Sequence, residues 1–324
     1  MTLKNRIVAM TLACATACGL SSLSANSAEV TIKGASCFPI GSPPSKPFEG
    51  VVKQINATGK GVIQIKLIGG APAIGSPFTL VKNMAKGIYD IAGCPDAYYG
   101  NVVPEAKAHK LTEFSAAEMR SNGAYAYYNT ILAKKNLKSL GEYMNFGPFF
   151  LWSNVEIRKA DLSGLHLRVS PVYTPFFKAL GATVQRSNIA QVYTYMENGT
   201  VKGYGWPALG WVPSWVKVTK YRIEPGFYIA PLEALVNLKT WNKLNSSQQG
   251  VIMKVVLAFE ARNAKWRERL KVQNAKTAKQ GLKGIRLQGA EEKKWIATAK
   301  KAAWDEVIAL SPIEGPKLKK RFTR

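Results

Sequence analysis

The sequence predicts an α/β protein built as two lobes with a cleft between them. Three observations carry this. The N-terminal third alternates strand and helix signals in the order β-α-β-α-β, a second such run follows between residues 165 and 204, and the C-terminal part is helical. Apolar residues make up 47% of the 324, enough to build a core, which excludes wholesale disorder. At about 100–200 residues per domain, two domains are expected.

Residues 1–28 read as an export signal. Lys4 and Arg6 form a basic start, Ile7 to Leu20 is an apolar stretch too short to span a bilayer comfortably, and small residues from Ser21 to Ala28 follow. Cleavage is expected near residues 25–28. Cys14 and Cys18 sit in poor lipobox contexts. The mature chain should be soluble and periplasmic.

The elements follow in order. Val30 to Ala35 reads as a strand, and Pro39, Gly41, Pro43 and Pro44 force a loop. Phe48, Val51, Val52 and Ile55 recur at helical spacing. Ile63, Ile65 and Leu67 alternate with polar residues as in a strand. Gly69 to Gly75 is a loop, Leu80, Met84 and Ile88 mark a short helix, and Tyr89 to Ala92 a strand. Residues 116–136 read as one helix and Phe146 to Trp152 as an apolar strand. The second unit opens with strand Leu165 to Val169. A helical face at Tyr173, Phe176, Phe177 and Leu180 follows, then a short strand at Val184. A helix at Val192, Tyr195 and Met196 leads into strand Val201 to Tyr204. Ser246 or Ser247 can cap a helix whose stripe runs from Ile252 to Leu270. Gly281 and Gly284 interrupt it, and a last helix spans Ala290 to Leu310.

The chain carries 45 Lys and Arg against 20 Asp and Glu, a net charge of +25. Residues 254–324 hold 19 basic and 7 acidic residues, spread through helical patterns rather than packed in one tract. Export argues against a nucleic-acid partner; attraction of small organic anions fits the charge. Two histidines, His109 and His166, make a multi-histidine metal site untenable and read as packing or surface residues. There is no P-loop, no Gly-x-Ser-x-Gly, no His-Glu-x-x-His and no Cys-x-x-Cys, so neither an enzyme nor a cofactor or metal is expected. Two cysteines remain after the signal, Cys37 and Cys94, for which one disulfide and two buried thiols are the alternatives. Cys37 follows the first strand and Cys94 the third. Parallel strands end at one sheet edge, so the two can meet there, and a disulfide is predicted.

The informative stretch is Asp161-Leu-Ser-Gly-Leu-His-Leu-Arg168-Val-Ser-Pro-Val-Tyr173, continuing through Phe177-Lys-Ala-Leu-Gly-Ala182. Gln191-Val-Tyr-Thr-Tyr-Met-Glu-Asn-Gly199, Val201-Lys-Gly-Tyr-Gly-Trp-Pro207 and Thr240-Trp-Asn-Lys-Leu-Asn-Ser-Ser-Gln-Gln follow. In these segments, and in Ile63 to Ala92, the sequence resembles the substrate-binding proteins of TRAP transporters, DctP type. The resemblance spans nearly all the mature chain. It implies a two-lobed, periplasmic-binding-protein-like receptor, each lobe a sheet flanked by helices, with a long C-terminal helix linking the lobes. Lobe I is expected at residues 29–145 and 231–272, lobe II at 146–230 and 273–324. Such receptors close on a small organic anion and deliver it to a TRAP membrane permease. The family's Arg in the Gly-x-x-x-Arg strand grips the substrate carboxylate, and that position is Arg168. A guanidinium matches a carboxylate as a two-pronged fork.

The departures from the family pattern bear on the ligand. Phe149 stands where many relatives have an Arg, Trp206 where many have an Asn before Pro, and Leu111-Thr-Glu-Phe114 replaces Leu-Pro-Phe. The pocket is therefore expected to keep one carboxylate clamp and gain aromatic surface from Phe149, Trp206, Tyr204, Trp211, Tyr173 and Tyr98. That favours a monocarboxylate with an apolar or aromatic body, such as a 2-oxo or aromatic acid. The competing readings are a periplasmic sensor or scaffold of the same fold and a secreted α/β enzyme acting on an anionic substrate.

Overall fold

The computed structural model describes residues 28–324. The expected export signal, with Cys14 and Cys18, lies outside the described residues. Ten strands form the framework: β1 (Val30–Ser36), β2 (Ile63–Gly70), β3 (Ile91–Pro95), β4 (Leu137–Ser153), β5 (His166–Val169), β6 (Thr183–Arg186), β7 (Gly203–Pro207), β8 (Tyr221–Glu224), β9 (Ile229–Asn237) and β10 (Lys283–Arg286). They pair in the order β2-β1-β3-β9-β4-β7-β5-β6, with β8 joining β4 to β10. The β1–β2, β1–β3, β5–β6 and β5–β7 pairs are parallel, while β9 and β4 run against their neighbours.

β4 is the strand that both halves share. Its residues 137–148 pair with β9, and residues 149–153 pair with β7. The β4–β9 register slips between Ser139 and Gly141, between Glu142 and Met144, and between Asn145 and Pro148. Such bulges bend and twist a strand, letting one chain segment leave one sheet and enter another.

The helix Lys46–Thr58 shows how sequence becomes packing. Its four apolar residues at helical spacing, Phe48, Val51, Val52 and Ile55, are all buried. They lie on one face because three and four residues apart means one turn apart. The helices Ser246–Ala261 and Trp266–Lys279 form a long rod, joined by a 3-10 turn at Arg262–Lys265. Ile252, Val255 and Val256 of the first are buried, while the second buries only Thr277. Among the described residues no helix is long and apolar enough to cross a membrane.

Several elements differ from their sequence reading, each for a local reason. The single helix expected over 116–136 is two, Ala116–Ser121 and Ala124–Ala133, because Gly123 adopts a left-handed conformation at φ 79°. The rod is capped by Asn245 rather than by Ser246 or Ser247. The Asn245 side chain accepts from Gln248 N, whose own side chain accepts from Asn245 N, a reciprocal capping box. The stripe from Ile252 to Leu270 is not one continuous helix. Where it breaks, Asn263 Nδ2 donates to Glu142 O at 3.0 Å and its Oδ1 accepts from Asn145 N at 2.9 Å, satisfying the bulged backbone of β4. The strand expected over Val201 to Tyr204 begins at Gly203 and runs to Pro207.

Candidate ligand-binding cleft

Arg168 stands on β5 and is fully buried. Its Nε donates to Ser187 Oγ at 3.1 Å, Nη2 to the Ser187 carbonyl, and Nη1 to Tyr173 Oη at 3.0 Å. These bonds use three of its five N–H groups, and every partner is neutral. The Tyr173 hydroxyl in turn donates to Gly205 O on β7 at 2.5 Å. A Cβ at Gly205 would come within 2.5 Å of the Tyr173 ring, so only glycine lets the ring approach β7 this closely.

Beyond the Trp206 ring that the guanidinium approaches lies an aromatic-walled cavity. Phe38, Tyr98, Phe149 and Trp206 form its walls with Phe146 and Ser170. The space between them is small, about 20 Å³. The Arg168 guanidinium lies 5.9 Å from the Trp206 ring centre, within reach of a cation–π contact. Phe38 meets Tyr98 at 5.4 Å between ring centres and Trp206 edge-on at 6.3 Å. The Tyr98 hydroxyl is buried, within the pull of the Arg168 guanidinium. Burial pushes its pKa up to about 12 against the pull of Arg168, so it stays a neutral phenol.

The cavity sits where strand ends converge. Phe38 follows β1, Tyr98 follows β3, Ser170 follows β5 and Trp206 is the last residue but one of β7. This is the edge at which α/β sheets hold ligands. Cys37 and Cys94, at two of these strand ends, are joined as a disulfide with Cα atoms 5.1 Å apart. The bridge pins the Phe38 loop to the segment that carries Tyr98.

The seven residues singled out from sequence divide into three sets. Tyr98, Phe149 and Trp206 line the cavity, whereas Arg168 and Tyr173, a bonded pair, do not line it but meet its walls, Arg168 at the Trp206 ring and Tyr173 at Phe149, 5.5 Å between ring centres. Tyr204 and Trp211 are not among the lining residues. Trp211 stacks on Trp152 at 5.1 Å and donates to the Tyr204 hydroxyl, which also bonds Thr219. Both pack on Trp215, Tyr204 at 4.9 Å and Trp211 at 6.1 Å between ring centres, while Trp206, on the same face of β7 as Tyr204 and nearer the strand's end, reaches the cavity. Phe38, Phe146 and Ser170 escaped the sequence reading. They sit in loops or at a bulge, where no period marks a face.

A second buried polar cluster joins the 3-10 segment Pro104–Leu111 to β4 and β9. His109 is fully buried, with Nε2 3.1 Å from Glu142 Oε1 and Nδ1 3.3 Å from Glu233 Oε2. Burial works against the imidazolium, but Glu233 and Glu142 overcome it and hold the His109 pKa well above its ordinary value. Glu233 also accepts from Ser139 Oγ at 2.6 Å and from the Tyr99 hydroxyl. His109 is thus a packed, ion-paired residue tying the 3-10 segment Pro104–Leu111 to β4 and β9. His166 is half-exposed and bonds Thr183 Oγ1 at 2.8 Å.

Residues 39–309 match DctP, the bacterial extracellular solute-binding protein family 7. The chain belongs to the DctP family. This DctP-family protein is therefore one of the solute-binding proteins of TRAP transporters, an extracytoplasmic family whose members bind rather than turn over their solutes. Solved structures agree in fold. One is a Bordetella pertussis extracytoplasmic solute receptor binding pyroglutamic acid, with a TM-score of 0.79 and 15% identity over 90% of this chain and 99% of that one. Another is a TRAP periplasmic solute-binding protein from Desulfovibrio salexigens with bound orotic acid, with a TM-score of 0.77 and 18% identity over 90% and 97%. A third, from Ochrobactrum anthropi, has a C-terminus bound in the ligand-binding pocket, with a TM-score of 0.74 and 21% identity over 92% and 95%. An uncharacterized Haemophilus influenzae protein is 28% identical over 133 residues, 40% of each chain.

Proposed function

We propose that this protein captures a small monocarboxylate with an apolar or aromatic body in the periplasm and delivers it to a TRAP permease. The observation that carries the reading is a fully buried Arg168 whose bonding partners are all neutral. A buried cation without a counter-ion is costly, and a bound carboxylate would supply the missing charge. Two N–H groups of the fork remain for it, beside the Tyr98 phenol and Ser170. The walls, Phe38, Phe149 and Trp206, offer rings and no second cation, which suits one carboxylate and a flat or apolar remainder. Among the neighbours in fold, two bind ring acids, orotic and pyroglutamic, and others bind sugar acids such as galacturonate and gulonate; each of these ligands carries one carboxyl group.

In this reading the lobes comprise residues 29–145 with 231–272 and 146–230 with 273–324. They meet where β4 passes from β9 to β7 at Pro148 and Phe149. The cavity as it stands is too tight for such an acid, so entry requires the lobes to part and binding brings them back around the ligand. Residues 1–28 direct export and are removed near 25–28.

A thermal-shift screen of residues 29–324 against matched mono- and dicarboxylates tests this. A ligand at about 100 times its Kd stabilises by roughly 2.7 kcal/mol. A monocarboxylate hit that disappears in Arg168→Ala supports the reading. A clear preference for dicarboxylates, or a hit that survives in Arg168→Ala, overturns it.

A further inference from the structure

The cleft is not the largest space in the molecule. A second cavity of about 420 Å³ opens between the 3-10 segment Pro104–Leu111, the start of β9, the helix Gly289–Leu310 and the C-terminal end. It shares no lining residue with the first. Phe149 of the first cavity and Phe227 of the second stack at 6.1 Å between ring centres, so this ring pair forms a partition between them.

Its lining is strongly basic. Lys110, Lys300, Lys301, Lys319 and Arg324 face it against two acids, Glu113 and Asp305. Those acids are already engaged, Glu113 with Lys300 at 2.8 Å and Asp305 with Lys301 at 2.5 Å. Tyr228 and Trp304 supply an apolar wall.

Lys110 is the telling residue. It is 1% exposed, and its Nζ is buried without a hydrogen-bond partner. The ammonium lies 5.2 Å from the Tyr228 ring centre, a contact that satisfies none of its three donors. Burial pulls its pKa down to about 8, against the attraction of Asp96 and Glu306, and Glu306 is bonded to Lys107. An unpaired ammonium at the base of a basic cavity is an arrangement that a multivalent anion would complete.

We propose that this cavity is a second anion site, distinct from the transport cleft, that takes a small multivalent oxyanion. Lys110 bonds it at the base and Lys319 holds it at the mouth, where Arg324 is already paired with Glu118 at 2.7 Å. With Lys300, Lys301 and Arg324 ion-paired, Lys110 and Lys319 remain, so the charge balance calls for about two negative charges, and the volume admits a tricarboxylate or a diphosphate. The site does not depend on the assignment of Arg168.

Isothermal titration at low ionic strength with citrate in one arm and inorganic pyrophosphate in the other tests this and distinguishes carboxylate from phosphate. The proteins are the wild-type mature chain, Lys110→Met, Lys319→Gln and Arg168→Ala. Methionine keeps the length of the lysine stem and removes the charge, and Lys319 is exposed, so its variant leaves the core untouched. One-to-one binding of either probe is expected, weakened about tenfold or more in Lys110→Met and a few-fold in Lys319→Gln. Arg168→Ala should bind as the wild type does. Absence of binding by both probes overturns the proposal. So does equal affinity in folded Lys110→Met, or a loss in Arg168→Ala that Lys319→Gln does not share. Should Lys110→Met fail to fold by circular dichroism, Lys319→Gln decides alone, and unchanged affinity there overturns the site.

Discussion

Arg168 donates to the Tyr173 hydroxyl at 3.0 Å, and the same hydroxyl donates onward to the Gly205 carbonyl. The tyrosine thus holds one prong of the guanidinium fork against β7, and a carboxylate clamp works only if its fork is aimed in advance. Removing the hydroxyl while keeping the ring isolates that role. Tyr173→Phe leaves a buried N–H and a buried carbonyl without partners, costing about 1–3 kcal/mol of stability. Ligand affinity should fall by about tenfold as the arginine loses its aim, with Arg168→Lys falling further because an ammonium has no fork. Titration of the screened acid into each variant measures this. Unchanged affinity in folded Tyr173→Phe would remove Tyr173 from the positioning role.

Phe149 and Trp206 set the character of the cavity walls. Trp206 also donates its Nε1 to Gly210 O at 3.0 Å, which fixes the indole in place. Trp206→Ala should weaken binding of a ring-bearing acid by roughly 30-fold, the scale of losing a well-packed aromatic anchor of about 2 kcal/mol. Trp206→Phe should recover most of that. Phe149→Arg adds a second cation to the cavity and should move preference toward dicarboxylates. The ratio of the two Kd values in wild type and variant reads this directly. A ratio that does not move would mean residue 149 does not face the ligand.

The His109, Glu142 and Glu233 cluster predicts a pH signature in stability. The His109 pKa is raised, so its contribution is complete below the ordinary value of 6.5 and is lost only as pH climbs through the raised one. Burial would raise the Glu233 pKa, but His109 outweighs it and lowers it. Its contribution therefore holds above 4.5 and is lost as pH falls through the lowered value. This cluster's contribution to stability should then be flat between about pH 4.5 and 6.5, while buried Asp96, its pKa raised by burial to about 6, makes the wild type lose some stability as pH rises toward 6. His109→Gln strips both carboxylates of their cation and should cost about 3–5 kcal/mol near neutral pH. Acidification protonates the stranded Glu233, so the gap between variant and wild type should narrow by pH 4.5. Urea unfolding at both pH values measures it, and a gap of equal size at both would contradict this account.

The parts of the fold that the sequence revealed are those with a clean period. The face Phe48, Val51, Val52, Ile55 was readable because one side of that helix meets water and the other the core. β9 was not, because Ile-Ala-Pro-Leu-Glu-Ala-Leu-Val-Asn has no alternation. It lies between β3 and β4 with nearly every residue buried, so both faces are apolar. Its buried Glu233 looks like a surface residue until His109 is placed beside it by the topology. The first half of β4 was hidden by its bulges, which break the two-residue period at three places. The site follows the same rule. Arg168 and Trp206 stood out as motif positions, whereas Phe38 and Ser170 are loop residues that only the converging strand ends bring together.

The Cys37–Cys94 bridge closes a loop between residues 57 positions apart. In the chain-entropy view, a loop of that length restricts the unfolded chain by about 4 kcal/mol. The bridge also joins the ends of β1 and β3, beside the two cavity residues Phe38 and Tyr98. Breaking it should therefore do two separable things. Thermal stability should drop by an amount that does not depend on ligand, and ligand affinity should fall because the Phe38 loop is no longer held against Tyr98. A Cys37→Ala, Cys94→Ala double variant, melted with and without the screened acid, tests both. Loss of stability with unchanged affinity would confine the bridge to a structural role. Two titratable thiols in the denatured, unreduced protein from the periplasm would show that the bond does not form, and the affinity argument would fall with it.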